Sequence, residues 1–515
     1  MSTPANHPPP DPDEPQVEVL DNDRNGRIRV GEFYQNLARQ GITHDDPRLR
    51  EANRAIDREC IEENGHRLID PEALGRIAGT KQIIGRSLNR HNIIPDFEGF
   101  IADLHDICDR VLPLTDGHVA TYIPQLKKVD PELFSVAVCT VDGQTYALGD
   151  TDVRFTLQSS HKPVNYALAL EELGEERVHQ HVGKEPSGVS FNALTLNQRG
   201  LPHNPLINAG AIMTSGLIGR ELDLADRFDL VVSTWRRLNG GEGHTFDNAT
   251  YLSERGTADR NFALAYFMRE NGAFPPNTDI KEVLDFYFQC CAVESSAPQL
   301  ARVAATFANS GVNPFTQERV FRPRTVMNTL SIMYTCGMYN YSGEFAFAIG
   351  LPAKSAVSGA LWLVVPNVMG IAVYSPRLDE NGNTVRGVAF ARELVRRFNF
   401  HNYDALNVEL DDKKDPRRQK YQTKAQEVMS LIFAASYGDL DEVKRLHALG
   451  VDLNAGDYDG RTALHLAAAE NQRAVVEYLL ANGARRDVKD RWGGTPLKDA
   501  KKGRHPVIVK LLEEE

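Results

Sequence analysis

The pattern of apolar and polar positions changes character along the chain. Between residue 15 and about residue 115, apolar residues fall in short helical groupings broken by Gly, Pro and Asp. From residue 116 to residue 404, strand-type and helix-type runs are mixed. Ala360-Leu-Trp-Leu-Val-Val365 predicts a strand, and Val164-Asn-Tyr-Ala-Leu-Ala-Leu-Glu-Glu-Leu173 a helix. Over residues 405–424 charge replaces the apolar pattern, as in Asp411-Asp-Lys-Lys-Asp-Pro-Arg-Arg-Gln-Lys420, which predicts a solvated linker. Residues 1–14, rich in proline and acid, predict a disordered tail.

Residues 425–515 repeat. Thr462-Ala-Leu-His-Leu-Ala-Ala returns as Thr495-Pro-Leu-Lys-Asp-Ala, 33 residues on. Ala434-Ala435 and Ala467-Ala468 keep the same spacing, and Asp457 and Asp490 mark equivalent turns. This period with a T-x-L-H-x-A core is the ankyrin signature, in which small residues let paired helices pack closely. About two and a half repeats are expected, and such an array leans on neighbours or on a protein partner.

Near the other end, Asp21-Asn-Asp23-Arg-Asn25-Gly26-Arg27-Ile28-Arg29-Val-Gly-Glu32 fits the twelve-residue EF-hand loop. Asp21, Asp23 and Asn25 would offer side-chain oxygens to calcium, Arg27 its carbonyl, and Glu32 both carboxylate oxygens. Gly26 permits the turn, and Ile28 would pair with a partner loop. Arg24, Arg27 and Arg29 offset the carboxylates and lower the expected calcium affinity. The second loop, Glu62 to Glu72, is degenerate and expected to be empty.

Composition narrows the class. The 515 residues are 42% apolar and 25% charged, as in an ordinary globular protein. A net charge of −12 argues against nucleic acid as the main partner. Six cysteines, without a C-x-x-C pair, read as reduced thiols in a cytoplasmic compartment. No apolar run is long enough to span a membrane, and the N-terminus resembles neither a secretory nor a transit segment.

Candidate chemistry lies in Phe155-Thr-Leu-Gln-Ser159-Ser160-His161-Lys162-Pro163. A strand-like segment leads into a helix whose first turn carries Ser159 and Lys162. At i and i+3 the two side chains share a face, and the helix N-terminus offers unpaired N–H groups for an oxyanion. A neutral lysine can accept the serine proton, and burial can depress its pKa for that task. His161 points off that face and reads as a surface or packing histidine. This is the S-x-x-K arrangement of β-lactamases and penicillin-binding proteins. The amides of Asn204-Pro-Leu-Ile-Asn208-Ala-Gly follow in that order, then Lys354-Ser355-Ala356-Val357-Ser358-Gly359. Together the three motifs point to an acyl-serine enzyme.

From Gly143 to Tyr403 the chain also resembles the catalytic domain of the glutaminase family. Tyr122-Ile-Pro-Gln-Leu, Leu157-Gln-Ser-Ser-His-Lys-Pro, Val182-Gly-Lys-Glu-Pro-Ser-Gly, Pro202-His-Asn-Pro-Leu-Ile-Asn-Ala-Gly, Ser253-Glu-Arg, Asp259-Arg-Asn-Phe-Ala, Leu284-Asp-Phe-Tyr-Phe-Gln, Cys336-Gly-Met-Tyr and Gly350-Leu-Pro-Ala-Lys-Ser carry the resemblance. The flanks resemble the EF-hand-like and ankyrin regions of animal kidney- and liver-type glutaminases. The resemblance implies that Ser159 is the nucleophile, Lys162 the base, and Tyr339 a proton shuttle to leaving ammonia. It implies an oxyanion hole from the N–H groups of Ser159 and Val357, and a glutamine pocket of Tyr122, Gln158, Asn208, Glu254, Asn261 and Tyr287. It further implies a homodimer or homotetramer, filaments, and activation by inorganic phosphate, with no cofactor for the chemistry. Phe191-Asn-Ala-Leu-Thr-Leu-Asn197 resembles the family's mobile gating segment, although its composition differs. Ala356 stands where relatives commonly have glycine, and the usual mitochondrial presequence is absent.

The expected fold is therefore α+β: a β-lactamase/penicillin-binding-protein-like catalytic domain (116–404), an EF-hand-like helical domain before it (15–115) and ankyrin repeats after it (425–515). Two rival readings are a penicillin-recognising hydrolase and a calcium-responsive scaffold with an inert core. The Tyr122/Glu254/Asn261/Tyr287 set opposes the first. The intact Ser159/Lys162 pair opposes the second.

Overall fold

The structure, a computed structural model, describes residues 27–63, 65–79, 82–88, 90–189, 193–404, 413–417, 422–448 and 451–513. The chain divides into two compact units, one ending at Arg417 and the other beginning at Arg418.

The first unit begins with a small antiparallel sheet of β1 (Ile28–Arg29), β2 (Ile61–Glu63) and β3 (His66–Ile69) in the order β1-β3-β2. Ile28 pairs with Ile69, which joins the two loop regions as the sequence predicts for Ile28. Helices Val30–Arg39, Arg50–Glu59 and Pro71–Gly79 surround it and bury Phe33, Leu37, Ile56, Leu74 and Ile77.

The catalytic region is built on a five-stranded antiparallel sheet. Its strands are β4 (Ser135–Thr140), β5 (Thr145–Gly149), β9 (Ala353–Ser355), β10 (Ala360–Val365) and β11 (Met369–Tyr374), in the order β5-β4-β11-β10-β9. Helices cover both faces. Leu361, Leu363, Ile371 and Val373 join a core with Phe100, Leu104, Phe390 and Leu394 on helices Phe97–Val111 and Val385–Arg397. Trp362, Val364, Ala372 and Tyr374 face the opposite core, which contains helix Ala297–Ala308. Burial on both faces explains why β10 reads as an unbroken apolar run and not as an alternating one.

A second, short sheet orders β6 (Phe155–Thr156), β8 (Val293–Ser295) and β7 (Thr245–Phe246) as β6-β8-β7. It lies among the helices that build the site. Helix Lys162–Leu173 runs through the middle, with every residue from Lys162 to Leu170 buried. A helix that is buried all round is an interior helix.

Lys413–Arg417, inside the stretch expected to be solvated, lies against this first unit. Lys414 N donates to Arg397 O (2.8 Å), and the Lys414 ammonium pairs with Asp103 (2.7 Å). Local complementary charge holds the segment down, which its sequence composition alone does not reveal.

The second unit stacks three helix pairs: Gln422–Tyr437 with Leu440–Ala448, Ala463–Ala469 with Arg473–Ala481, and Pro496–Lys502 with Pro506–Glu513. Thr462 and His465 cap the third helix reciprocally. Asp457 and Asp490 each close their turn by accepting two backbone N–H bonds, at 2.9 and 2.9 Å and at 3.0 and 2.6 Å. Among the described residues no helix is long and apolar enough to cross a membrane.

Candidate active site

Strand β6 delivers the nucleophile candidate. Phe155 pairs with Ser295, and Leu157 N donates to Val293 O at 2.7 Å. The backbone then turns at Gln158 with φ +45°, a region that bulky residues avoid and that clusters at functional sites. A single 3₁₀ turn, Gln158–His161, follows and runs into helix Lys162–Leu173, with Pro163 in its first turn. Ser159 thus sits on the 3₁₀ turn and not on the first α-turn that the i, i+3 spacing predicts. The tighter turn eclipses positions i and i+3, so the shared face is kept while the partners differ.

Lys162 is fully buried. Its Nζ donates to Asn208 Oδ1 at 2.7 Å and to Leu206 O at 3.4 Å. Burial pushes its pKa down to about 8, while nearby Cys291 and Glu254 act in the opposite direction. The Leu206 carbonyl is held by local chemistry. Asn204 Oδ1 accepts from the N–H groups of Leu206 (3.0 Å) and Ile207 (3.2 Å). Helix Asn208–Leu217 comes so close to this loop that a Cβ on Gly210 would lie 1.8 Å from Asn204 O, so only glycine fits there.

Ser159 lies beside the Tyr339 phenol, whose pKa burial pushes up and Ser159 pulls down. Tyr339 adopts φ +54°. Its carbonyl accepts from Ser342 Oγ (2.8 Å), which in turn accepts from Met338 N (2.9 Å). The turn reaches this place because Gly337 carries no side chain; a Cβ there would lie 1.8 Å from Ala353 O. Lys354, at the middle of β9, extends its Nζ to 4.5 Å from the Tyr339 ring centroid. Val357 occupies the turn in which Gly359 N donates to Ala356 O and Ala356 N to Ala360 O, both at 2.9 Å. The Val357 N–H takes part in neither turn bond. Ala356 is fully buried in the core.

A polar group gathers beside Ser159. The Tyr122 hydroxyl donates to Glu254 Oε1 at 2.6 Å and lies 3.0 Å from Gln158 Oε1. Glu254 is 6% exposed; burial raises its pKa, against the lowering effect of Tyr122, Gln158 and Lys162. Asn208 Nδ2 donates to Asn261 Oδ1 at 3.3 Å, so one amide links Lys162 to Asn261. Tyr287 is buried, edge-on to His161 with ring centroids 5.6 Å apart. His161 Nε2 lies 3.9 Å from Cys291 Sγ. His161 is therefore a packing residue, and burial depresses its imidazole, helped by Lys162 and Lys354.

The structure thus joins Lys162, Asn208 and Asn261 in one hydrogen-bonded chain and Tyr122, Gln158 and Glu254 in another, with Ser159 beside Tyr339 and Tyr287 edge-on to His161. The Leu206 carbonyl and the Lys354–Tyr339 contact have no counterpart in the sequence reading. The Lys-Ser stretch was the one available signal for the second.

Other expected features lie partly outside the described residues. These include Asp21, Asp23 and Asn25 of the calcium loop, Phe191 and Asn192 of the gating segment, residues 405–412 and 418–421 of the linker, and the tail. Of the remaining calcium-loop positions, Arg27 pairs with Glu63 at 3.1 Å and Glu32 with Arg29 at 3.5 Å. The Glu32 carboxylate stays partly exposed, and together with the Asp/Asp/Asn set it is an all-oxygen donor group of the kind calcium takes.

Known proteins carry the same architecture. The glutaminase family model matches residues 117–403, an ankyrin-repeat model residues 431–515, and an EF-hand domain model residues 17–95. Putative glutaminase 3 of Caenorhabditis elegans is 45% identical over 505 residues, covering 96% of this chain and 86% of its own. The mitochondrial liver isoform of glutaminase from Rattus norvegicus is 44% identical, covering 95% and 81%. Among solved structures, the probable glutaminase ybaS superposes with a TM-score of 0.55 at 37% identity, covering 58% of this chain and 98% of its own. A probable glutaminase from Bacillus subtilis complexed with 6-diazo-5-oxo-L-norleucine gives 0.54 at 30% identity, covering 58% and 96%. A turn carrying Ser159 and a buried Lys162, in a chain matched over nearly all of its length by such relatives, lead to one assignment: the chain belongs to the glutaminase family.

Proposed function

We propose that the protein hydrolyses L-glutamine to L-glutamate and ammonia through an acyl-serine intermediate. One observation carries this mechanism: Ser159 opens the turn into a buried helix whose Lys162 is held by Asn208 and Leu206 with its pKa lowered to about 8. A lysine near that value is a free base for a useful fraction of molecules at neutral pH.

In this reading neutral Lys162 takes the proton of Ser159 Oγ, which attacks the side-chain amide carbon of glutamine. The new oxyanion is met by the N–H groups of Ser159 and Val357. The C–N bond breaks as Tyr339 gives its proton to the departing ammonia and takes the one that Lys162 holds, which leaves Lys162 neutral again. Water then attacks the acyl carbon and gives a proton to Lys162; as the ester C–O bond breaks, Lys162 passes that proton to Ser159 Oγ, and glutamate leaves. Glu254 receives the α-ammonium. Tyr122, Gln158, Asn208, Asn261 and Tyr287 complete the amino-acid pocket, since a buried zwitterion needs such partners.

Glutamate release from L-glutamine by the parent and by Ser159→Ala tests this. Turnover by the parent alone supports it, and equal activity of the variant overturns it.

The N-terminal loop is proposed to hold calcium through Asp21, Asp23, Asn25, Arg27 and Glu32, outside the chemistry itself. Calorimetric titration of the full chain and of Glu32→Gln checks this, with binding expected only in the parent. Homo-oligomers, phosphate activation and an ankyrin-bound protein partner belong to the same reading. Six free cysteines, five of them buried, favour a reducing compartment, cytoplasmic in this reading, with mitochondrial as the alternative for a processed or atypical form.

A further inference from the structure

We propose that Lys354 is a positioning residue for the reaction: lying over the face of the Tyr339 ring, it aligns the phenol with Ser159. The inference rests on the Ser159 mechanism above and adds a residue with no role in it.

Three observations meet here. First, Lys354 is fully buried at the centre of β9, paired across the sheet with Trp362. A buried lysine is costly to desolvate and is seldom kept without a specific contact. Second, its amine has such contacts. It donates to the Ser355 carbonyl, and it lies 4.5 Å from the Tyr339 ring centroid, within the range in which a nitrogen donor is attracted to an aromatic face. Third, Tyr339 is a residue that needs holding. Its backbone is left-handed at φ +54°, unfavourable for a bulky side chain. Its ring also borders a cavity of about 320 Å³ lined by Ser187, Leu206, Cys336 and Ser342, among others.

Lys354 contacts the Tyr339 ring and the Ser355 carbonyl, and it acts on the reaction through Tyr339. The strand brings the amine there because Ser355 N donates to Gly337 O at 3.2 Å, just before the Tyr339 turn. Strand and turn are therefore registered to each other by the backbone, and the amine completes the registration from the side chain.

A double-mutant cycle tests this, using the full chain and initial rates on L-glutamine. Lys354→Met is expected to lower kcat at least tenfold with KM changed less than threefold. Lys354→Arg, which restores a nitrogen donor over the ring, is expected to recover most of that loss. In a Tyr339→Phe background Lys354→Met is expected to cost less than threefold, because the group it aligns is gone. An equal loss in both backgrounds overturns the proposal and leaves Lys354 as packing. So does a loss that appears mainly in KM. If Lys354→Met does not accumulate as folded protein, Lys354→Gln carries the same cycle. Activity of the parent and its loss in Ser159→Ala separate failure of this proposal from failure of the mechanism beneath it.

Discussion

Asn208 Oδ1 lies 2.7 Å from Lys162 Nζ, and the same amide donates to Asn261 at 3.3 Å. One side chain thus touches both the lysine proposed as the base and a residue of the proposed amino-acid pocket, and its neutrality leaves the lysine free to lose its proton.

The pH dependence follows. Lys162 has its pKa lowered to about 8 by burial. The active form is the neutral amine, so activity is present above that value and lost below it. The kcat/KM profile for glutamine is expected to fall about tenfold per pH unit below the limb. Asn208→Asp places a carboxylate on the ammonium, favours the charged form and moves the limb upward, by about one unit or more. A limb that stays in place after Asn208→Asp would mean that another group is the base.

Glu254 and Tyr122 make a second, separable prediction. Their 2.6 Å hydrogen bond lies in a pocket where the carboxylate is 6% exposed. Glu254→Gln keeps the shape and removes the charge. Truncating one partner of a buried charge pair costs about 2 kcal/mol or more, so a fall in kcat/KM of roughly thirtyfold is expected, mostly as a rise in KM. Tyr122→Phe removes one donor to that carboxylate and is expected to cost about tenfold. Steady-state kinetics with glutamine check both. An unchanged KM in Glu254→Gln would remove Glu254 from the pocket.

The fold classes were legible because their signals are local. A 33-residue repeat and a twelve-residue loop are read along the chain. The same holds for Ser159 and Lys162, three positions apart. Asn208, Glu254, Asn261 and Tyr287 come from separate helices, and only resemblance placed them together; spacing alone could not. The partner of Lys162 was not legible either, because it depends on the backbone turning at Gln158 with φ +45°, which no propensity of glutamine predicts. The Lys354–Tyr339 contact likewise needs strand β9 registered against a left-handed turn. Asp103 holds Lys414 to the first unit across 311 positions, so a charged stretch that reads as linker is in part a docked segment.

Gly337 gives a prediction about assembly of the site. A Cβ there would lie 1.8 Å from the Ala353 carbonyl, a backbone atom that cannot swing aside. Gly337→Ala is expected to push the Tyr339 turn away from β9, lowering stability by roughly 1–3 kcal/mol and activity by more than its effect on folding. Thermal melting beside kinetics at 25 °C compares the two. A variant with normal activity would show that the turn can shift without losing Tyr339.

Gln144 carries the last prediction. It is fully buried at the hairpin between β4 and β5, and its side chain joins three parts of the first unit. Nε2 donates to Gln40 O and Ile94 O, and Oε1 accepts from Ile94 N, all at 3.0 Å. Close by, Arg48 donates to the carbonyls of Asp142 at 2.6 Å and Gly143 at 2.8 Å, and Thr145 N donates to Gly41 O at 2.8 Å. The EF-hand-like helices are thereby tied to the catalytic sheet at the strands most distant from β9. Gln144→Ala removes three bonds and leaves backbone groups buried without partners, each costing about 1–3 kcal/mol. The helices over residues 28–111 are expected to exchange amide hydrogens at least tenfold faster, while kcat falls less than threefold because Ser159 and Lys162 rest on other elements. Unchanged exchange in that region would show that the Arg48 and Thr145 contacts alone suffice to hold the two parts together. A kcat loss as large as that of Ser159→Ala would instead make this hairpin a route by which the N-terminal loop reaches the active site.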